Sequence, residues 1–125
     1  MVLPALRRGG YQFEPQVVIG RRPGGGTHKI DVVATKGTRS LLISLKWQQV
    51  HGTAEQKVPF EIICLMRAID ESEEYEKAYL VLGGDGWTLR DFYLSGDLHE
   101  FLDYDPQVEI LSLERFVARA NASQL

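Results

Sequence analysis

Two side chains in the first half of the chain can act together on a phosphate group. Asp31 lies in a β-branched stretch over residues 28 to 35, and Lys46 lies in an apolar stretch over residues 40 to 48. Both stretches predict strands joined by a tight turn, and such a hairpin brings Asp31 near Lys46. A lysine among apolar strand residues needs a carboxylate, a phosphate or solvent as its partner. The pair therefore predicts metal-assisted hydrolysis of a phosphodiester.

Alternation along the second of these strands sorts its side chains between two faces. Ser44, Lys46 and Gln48 share one face, and Leu45 and Trp47 share the other. Gln48 is therefore expected to contact the same water or phosphate as Lys46, or else to be an exposed strand residue.

Length and composition predict one soluble domain. The chain has 125 residues, enough for a single core, and it has no apolar run of the roughly 18 residues that a membrane span needs. Residues 1 to 10 are predicted to be a loosely held arm and residues 11 to 125 the domain. No secretory signal is recognisable, so we expect an intracellular, cytoplasmic protein. Cys64 lies in an apolar helical pattern, which predicts a buried, inert thiol.

The charge is distributed unevenly along the chain. Residues 1 to 50 hold eight basic and two acidic groups, a balance of +6, whereas residues 51 to 125 hold six basic and fifteen acidic groups, a balance of −9, giving the net −3. The asymmetry favours one face for a polyanion and another for water. The alternative is that the two halves intermix in the folded chain and their charges cancel.

Hydrophobic periodicity predicts the order strands, helix, strand, helix, strand, helix. After a first edge strand over residues 11 to 19 and the hairpin, a long helix runs to about Glu71. Thr53 and Gln56 fit a capping box at its start, while Pro59 implies a kink or a later beginning. The remaining elements are a core strand over residues 77 to 83, a helix over 89 to 102 loosened near 95 and 96, a strand over 108 to 111, and a helix capped by Ser112.

This order of motifs resembles the PD-(D/E)XK nuclease superfamily, and the resemblance covers roughly residues 11 to 112. Asp31 and the triplet Ser44-Leu45-Lys46 stand on successive strands, followed by a helix and a core strand. The resemblance implies a restriction-endonuclease-like α/β fold, a mixed β-sheet of about five strands flanked by helices. It also implies a small stand-alone DNA endonuclease that uses Mg²⁺ or Mn²⁺, as a homodimer or higher homo-oligomer. The superfamily's usual first helix is predicted to be missing, so that it is dispensable or a partner covers the sheet.

Two positions depart from the superfamily pattern. Ile30 stands where a proline is usual, and Ser44 stands at the first, acidic position of the triplet. A serine hydroxyl is a poor ligand for a hard divalent cation. Some restriction endonucleases of the superfamily also carry serine there and supply the acid from the following helix.

The following helix offers two candidates for that acid, Glu55 and Glu61, which flank its buried stripe. We favour Glu55, which is nearer the helix start, with Glu61 second. Both could instead be structural, because Glu55 suits the helix dipole and Glu61 is spaced to pair with Lys57.

The resemblance implies a role for each candidate residue of the site. Asp31 and a helix glutamate hold the metal, with the Leu45 carbonyl as a further ligand, and Lys46 orients or helps to deprotonate water. The flanking phosphates are neutralised by Arg21, Arg22, Lys29 and Arg39. His28 and His51 are read as ordinary residues, because their spacing gives no metal pair.

Three other interpretations stay open. Asp31 and Lys46 could form a purely structural ion pair. The chain could be a catalytically inactive nucleic-acid-binding module of the same fold, which Ser44 favours. It could also be a protein-interaction domain whose acidic second half docks a partner.

Overall fold

The computed structural model describes residues 1–50, 54–104 and 106–125. Its strands and helices are, in chain order, α1 Val2–Arg8, β1 Gln12–Arg21, β2 Thr27–Lys36, β3 Arg39–Trp47, α2 Ala54–Glu71, β4 Lys77–Gly83, α3 Arg90–Leu94, a short 3-10 helix Asp97–Glu100, β5 Val108–Ser112 and α4 Leu113–Asn121.

The strands form one mixed sheet in the order β1-β2-β3-β4-β5. β1, β2 and β3 pair antiparallel, whereas β3, β4 and β5 pair parallel. A two-residue turn joins β2 to β3, and Gly37 supplies its positive φ of 62°. The predicted fold class, a five-stranded mixed α/β sheet with helices on its faces, is confirmed.

Helices cover both faces of the sheet. One face packs against α2 and α3 through alternate residues of β4 such as Leu80 and Leu82. The other face packs against α1 and α4 through Tyr79 and Val81. We call these the α2 face and the α4 face. A strand covered on both sides reads as a continuous apolar run, which is why the sequence of β4 shows no polar alternation.

β1 is an edge strand, as predicted. It pairs only with β2, and the register shifts between Val18 and Gly20, which leaves Ile19 as an extra residue. Such a bulge bends the end of the strand. The two residues that follow the bulge, Arg21 and Arg22, lead into the loop toward β2.

Residues 1 to 10 are not a loose arm, and this prediction is corrected. Val2, Ala5 and Leu6 are buried on one side of α1 and pack in the same cluster as Phe116 of α4. Proline is tolerated in the first turn of a helix, where its missing N–H is not needed, so the proline of α1 does not prevent it. The first helix that was expected to be missing is therefore present, and it covers the α4 face.

α2 runs from Ala54 through Pro59 to Glu71, so the later beginning that Pro59 allowed is wrong. The capping role expected of Thr53 lies outside the described residues. The predicted interruption near residue 96 is confirmed, because Gly96 has a φ of 88° between α3 and the 3-10 helix. Ser112 caps α4 as predicted, its Oγ accepting a hydrogen bond from Arg115 N at 3.2 Å.

We expect Leu6→Ala to lower the free energy of unfolding by about 2–5 kcal/mol, because Leu6 is fully buried between α1 and α4. Urea denaturation followed by circular dichroism measures the change. Leu89→Ala, at an exposed position, is the matched control and should cost less than about 1 kcal/mol. Equal stability of the Leu6→Ala and wild-type proteins would contradict the docking of α1.

Candidate functional site

The site forms where β2 separates from β3. The hydrogen-bonded register between these strands ends at Val32 and Ile43, although β3 continues to Trp47 beside β4. One residue beyond that register, the Asp31 carboxylate accepts a hydrogen bond from the Leu45 backbone N–H, at 2.7 Å. The Asp31 side chain thus accepts a hydrogen bond that a strand carbonyl would otherwise accept. The amide that donates it belongs to Leu45, the residue before Lys46.

A buried glutamate from α2 meets the same end of β3. Glu61 is 4% exposed, and its Oε2 lies 3.5 Å from Lys46 Nζ and 3.1 Å from Arg22 Nη1. Its Oε1 lies 3.4 Å from Nε2 of His28, which is also buried. We call these four residues the Glu61 cluster. The cluster joins α2, β2, β3 and the loop that follows β1.

Glu61 is ionised despite its burial. Burial alone would raise the pKa of this carboxyl group, but His28, Lys46 and Arg22 outweigh it and lower that pKa to about 2. Removing one partner from such a buried pair leaves an uncompensated charge, which is strongly destabilising. The four side chains therefore hold one another in place.

Arg22 connects the cluster to the thiol of Cys64. Its Nη1 lies 3.5 Å from Cys64 Sγ as well as 3.1 Å from Glu61. Burial raises the pKa of Cys64, which keeps the thiol protonated. The prediction of a buried thiol is confirmed.

Glu55, the acid that the sequence favoured, makes different contacts. Its Oε1 accepts a hydrogen bond from Leu89 N at 2.7 Å, and its backbone carbonyl accepts one from the Tyr93 hydroxyl at 2.6 Å. These contacts hold the first turn of α2 to α3. The structure therefore brings Glu61, and not Glu55, to Lys46, and we revise our preference accordingly.

Lys46 pairs with Glu61 and not with Asp31 among the described residues. The structural ion pair that was considered as an alternative for Asp31 and Lys46 is therefore absent there. Lys57, the residue spaced to pair with Glu61, forms no ion pair with it in the same part of the chain.

Ser44 and Lys46 share the α2 face as predicted, but Gln48 does not extend that row. β3 ends at Trp47, and Gln48 Nε2 donates a hydrogen bond to Gly86 O at 2.8 Å. Its backbone N–H donates to Gly83 O, and its carbonyl accepts from Gly86 N. The expectation that Gln48 contacts the ligands of Lys46 is corrected, because Gln48 fastens the end of β3 to the loop after β4.

The glycines of that loop allow the close approach. A side chain at Gly84 would collide with the Gln48 carbonyl oxygen, and one at Gly86 would lie 2.6 Å from Val50 N. Gly84 also has a φ of 88°, a conformation that glycine adopts without strain. The two loops therefore cross backbone to backbone.

The four basic residues expected to contact phosphates are dispersed. Arg22 lies in the Glu61 cluster, Arg21 donates to Gly25 O at 3.0 Å within its own loop, and Lys29 is exposed on β2. Arg39 pairs with Glu76 at the start of β3, seven residues and about 23 Å from Lys46. Arg39 therefore lies away from the site. Basic groups of the first half pair with Glu61 and Glu76 of the second half, so at these positions the two halves intermix.

Sequence reasoning did not anticipate that His28 and Arg22 both lie beside Glu61. His28 was read as an ordinary residue, yet it lies beside Glu61. A usable signal was its place in the row His28, Ile30, Val32 and Ala34 of β2, because a histidine in a row of buried positions needs a polar partner. His51, the other histidine read as ordinary, lies outside the described residues.

The donor types at the site fit Mg²⁺ or Mn²⁺. Asp31 and Glu61 offer carboxylate oxygens, and the described residues contain no group of three or more His, Cys, Asp or Glu side chains placed to hold a metal. Mg²⁺ is commonly bound by one or two carboxylates together with water and substrate phosphates, so it needs no larger group. A metal at Glu61 would compete with Arg22 and Lys46 for Oε2.

Comparisons with known proteins identify the family. A family model described as a PD-(D/E)XK nuclease superfamily domain matches residues 2–124, and the chain belongs to that superfamily. The match begins at Val2, the first residue of α1, so it includes the helix that the sequence pattern did not predict. The search of curated proteins found no match.

A solved structure supports the fold. The crystal structure of AF1548, a protein of unknown function, superposes with a TM-score of 0.53 at 13% sequence identity. The match covers 90% of this chain and 54% of AF1548, so this chain spans about half the length of that protein. Among the described residues, no helix has both the length and the apolar character needed to cross a membrane.

We expect the contribution of Glu61 to stability to be lost in acid. Because the folded-state pKa of Glu61 is lowered to about 2, its contribution is complete above the unfolded pKa of about 4.3. It disappears as the pH falls through that value toward 2. The difference in free energy of unfolding between wild type and Glu61→Gln should shrink by up to about 3 kcal/mol between pH 6 and pH 2.

Urea denaturation over this pH range provides the measurement. Glu14→Gln, at an exposed position of β1, is the matched control for the loss of one carboxylate. A constant difference between wild type and Glu61→Gln at all pH values would contradict the ionised cluster.

Proposed function

We propose that this protein is a metal-dependent DNA endonuclease whose site comprises Asp31, Lys46 and Glu61. Its membership of a nuclease superfamily supports phosphodiester hydrolysis. The observation that carries the assignment of residues is the 3.5 Å approach of Lys46 Nζ to the ionised Glu61 carboxylate. That contact lies one residue from the amide that binds Asp31. In this proposal Glu61 supplies the acid that Ser44 lacks.

Asp31, Glu61 and the Leu45 carbonyl would hold Mg²⁺ or Mn²⁺. When bound, the ion supplies Lewis-acid stabilisation of the phosphate and lowers the pKa of a water ligand. Lys46 orients the attacking water and offsets negative charge that develops on the phosphate oxygens. Glu61 keeps the ammonium group of Lys46 at the end of β3.

Arg22 and His28 act on the position of Glu61. The ring of His28 lies 3.4 Å from one carboxylate oxygen, and Arg22 holds the other through a single nitrogen, Nη1. A guanidinium group has five N–H donors, so Arg22 retains donors for a phosphate oxygen while it stays bound to Glu61. Arg21 and Lys29, which are exposed near this loop, supply further phosphate contacts.

A homodimer is part of the proposal for cleavage of both strands. One active site cuts one strand, so a double-strand cut needs two sites. A nuclease that only nicks needs one, and the ratio of linear to nicked plasmid distinguishes the two.

The second candidate function is DNA binding without catalysis. Two observations favour it: serine occupies the usual acidic position, and three cationic or polar partners already surround Glu61. If these partners keep a metal from Glu61, the site binds phosphate and does not hydrolyse it.

We expect the wild-type protein to nick supercoiled plasmid in Mg²⁺ or Mn²⁺ but not in EDTA. Lys46→Ala and Glu61→Gln should each lower the rate by about 100-fold or more, as when a charged group at a transition state is removed. Glu55→Gln is the matched control and should retain a rate within about tenfold of wild type once folding is verified. Gel electrophoresis of the plasmid over time gives the rates.

A larger loss of cleavage rate in Glu55→Gln than in Glu61→Gln would show that Glu55 is the acid. Salt-sensitive binding without metal-dependent nicking would favour the second candidate function. Absence of both DNA binding and nicking would favour a protein-interaction domain.

We also expect Arg22→Ala to reduce the salt dependence of DNA binding. Each phosphate contact that is lost lowers the slope of log K against log salt by about one. Arg39→Ala removes the same charge at the far end of β3 and should leave the slope unchanged. Fluorescence anisotropy of a labelled duplex in EDTA measures both slopes, and equal slopes for the two variants would contradict a phosphate contact at Arg22.

A further inference from the structure

Trp47 presents a large aromatic ring to solvent directly after the lysine of the proposed site. Its side chain is 62% exposed, whereas folded proteins keep most of the tryptophan surface buried. Its Cα lies about 3.8 Å from that of Lys46, but its side chain points to the α4 face. The ring is continuous with the apolar lining of a neighbouring cavity, and a contiguous exposed apolar surface indicates an interaction site.

The ring of Trp47 rests on the backbone of the neighbouring strand. Gly83 of β4 is its register partner, and a methyl group at Gly83 would lie 2.5 Å from Cε3 and 2.7 Å from Cζ3 of Trp47. The absence of a side chain at Gly83 therefore lets the ring lie close against β4. A ring supported in this way is a platform for stacking.

A largely apolar cavity of about 460 Å³ adjoins the ring. Its lining includes Val2 and Leu3 of α1, Val81 of β4 and Leu113 of α4. Lys46 also borders it, although the ammonium group of Lys46 turns to Glu61 on the α2 face. Cavities that bind small ligands have volumes of about 300–1,000 Å³ and combine apolar walls with a few polar groups. This cavity therefore suits a flat, apolar group.

We propose that Trp47 stacks an unpaired nucleobase of the strand whose phosphate contacts Lys46. The inference rests on the proposed function and specifies its substrate as nucleic acid with single-stranded or unpaired character. Lys46 faces α2 and Trp47 faces α4, so a strand that passes the end of β3 can place phosphate on one side and base on the other. Bases stacked inside a duplex cannot reach the ring, whereas unpaired bases stack on aromatic side chains whatever their sequence.

The experiment measures binding without cleavage. In EDTA, labelled single strands of thymidine nucleotides are compared with strands of equal length whose sugars carry no bases, which keeps the phosphates and removes the stacking partners. We expect the wild-type protein to bind the thymidine strand about tenfold or more tightly than the abasic strand, the range of one stacked base. Trp47→Ala should abolish that preference, and Trp47→Phe should retain most of it.

Intrinsic fluorescence gives a second readout. Trp87 is buried and donates its Nε1 hydrogen bond to Gly83 O at 2.7 Å, so quenching by the thymidine strand should come from Trp47 and disappear in Trp47→Phe. Phe101→Ala removes an exposed aromatic side chain outside the cavity, and it should leave both the preference and the quenching unchanged.

The outcomes separate this inference from the proposed function. Equal binding of the two strands, or a preference that survives Trp47→Ala, would overturn base stacking, while metal-dependent nicking of plasmid would leave the nuclease proposal standing. A base preference that depends on Trp47 without nicking would support the stacking site and contradict the nuclease. Concentration-dependent self-association that Trp47→Ala abolishes, without any base preference, would assign the ring to a second copy of the chain.

Discussion

The structure around the site depends on one buried charge. The carboxylate of Glu61 is removed from solvent, and it stays ionised because Arg22, His28 and Lys46 approach it from three separate segments. Desolvating a carboxylate is costly, and only close cationic and polar partners offset that cost. The loop after β1, the strands β2 and β3, and the helix α2 are therefore tied together by a single side chain.

This arrangement also explains how the acid and the lysine come from different elements. β2 leaves β3 at Asp31, whose carboxylate accepts the hydrogen bond of the Leu45 amide in place of a strand carbonyl. α2 packs on one face of the sheet and brings Glu61 to Lys46 near the end of β3. In the proposed site, Glu61 of this helix supplies the negative charge that Ser44 does not.

Local sequence patterns predicted much of the fold, because each pattern reflects a local cause. The hairpin, β4 and the cap at Ser112 follow from strand alternation, continuous burial and N-terminal hydrogen bonding. α1 was missed because it is short, so its stability comes from packing on α4, which lies more than a hundred residues away in sequence. Propensity alone does not maintain so short a helix.

Sequence patterns named the lysine and the aspartate of the candidate site, but they did not show which helix glutamate contacts that lysine. Helical spacing placed Glu55 and Glu61 on either side of the same stripe, and nothing in that geometry shows which side faces the strand ends. The choice depends on how α2 is held, and the hydrogen bonds of Glu55 to Leu89 and of Tyr93 to Glu55 decide it. Such contacts join segments more than thirty residues apart and leave no periodic trace in the sequence.

The crossing of the loops after β3 and β4 limits how related chains can diverge. Because Gln48 is hydrogen-bonded to Gly83 and Gly86, and Gly84 and Gly86 leave no room for side chains, an insertion between Trp47 and Val50 or between Gly83 and Gly86 would break these contacts. Variation in substrate preference among relatives that share this crossing should therefore be concentrated elsewhere, in the arginine- and glycine-rich loop between β1 and β2, where a side chain at Gly26 would meet no neighbouring atom within 4 Å.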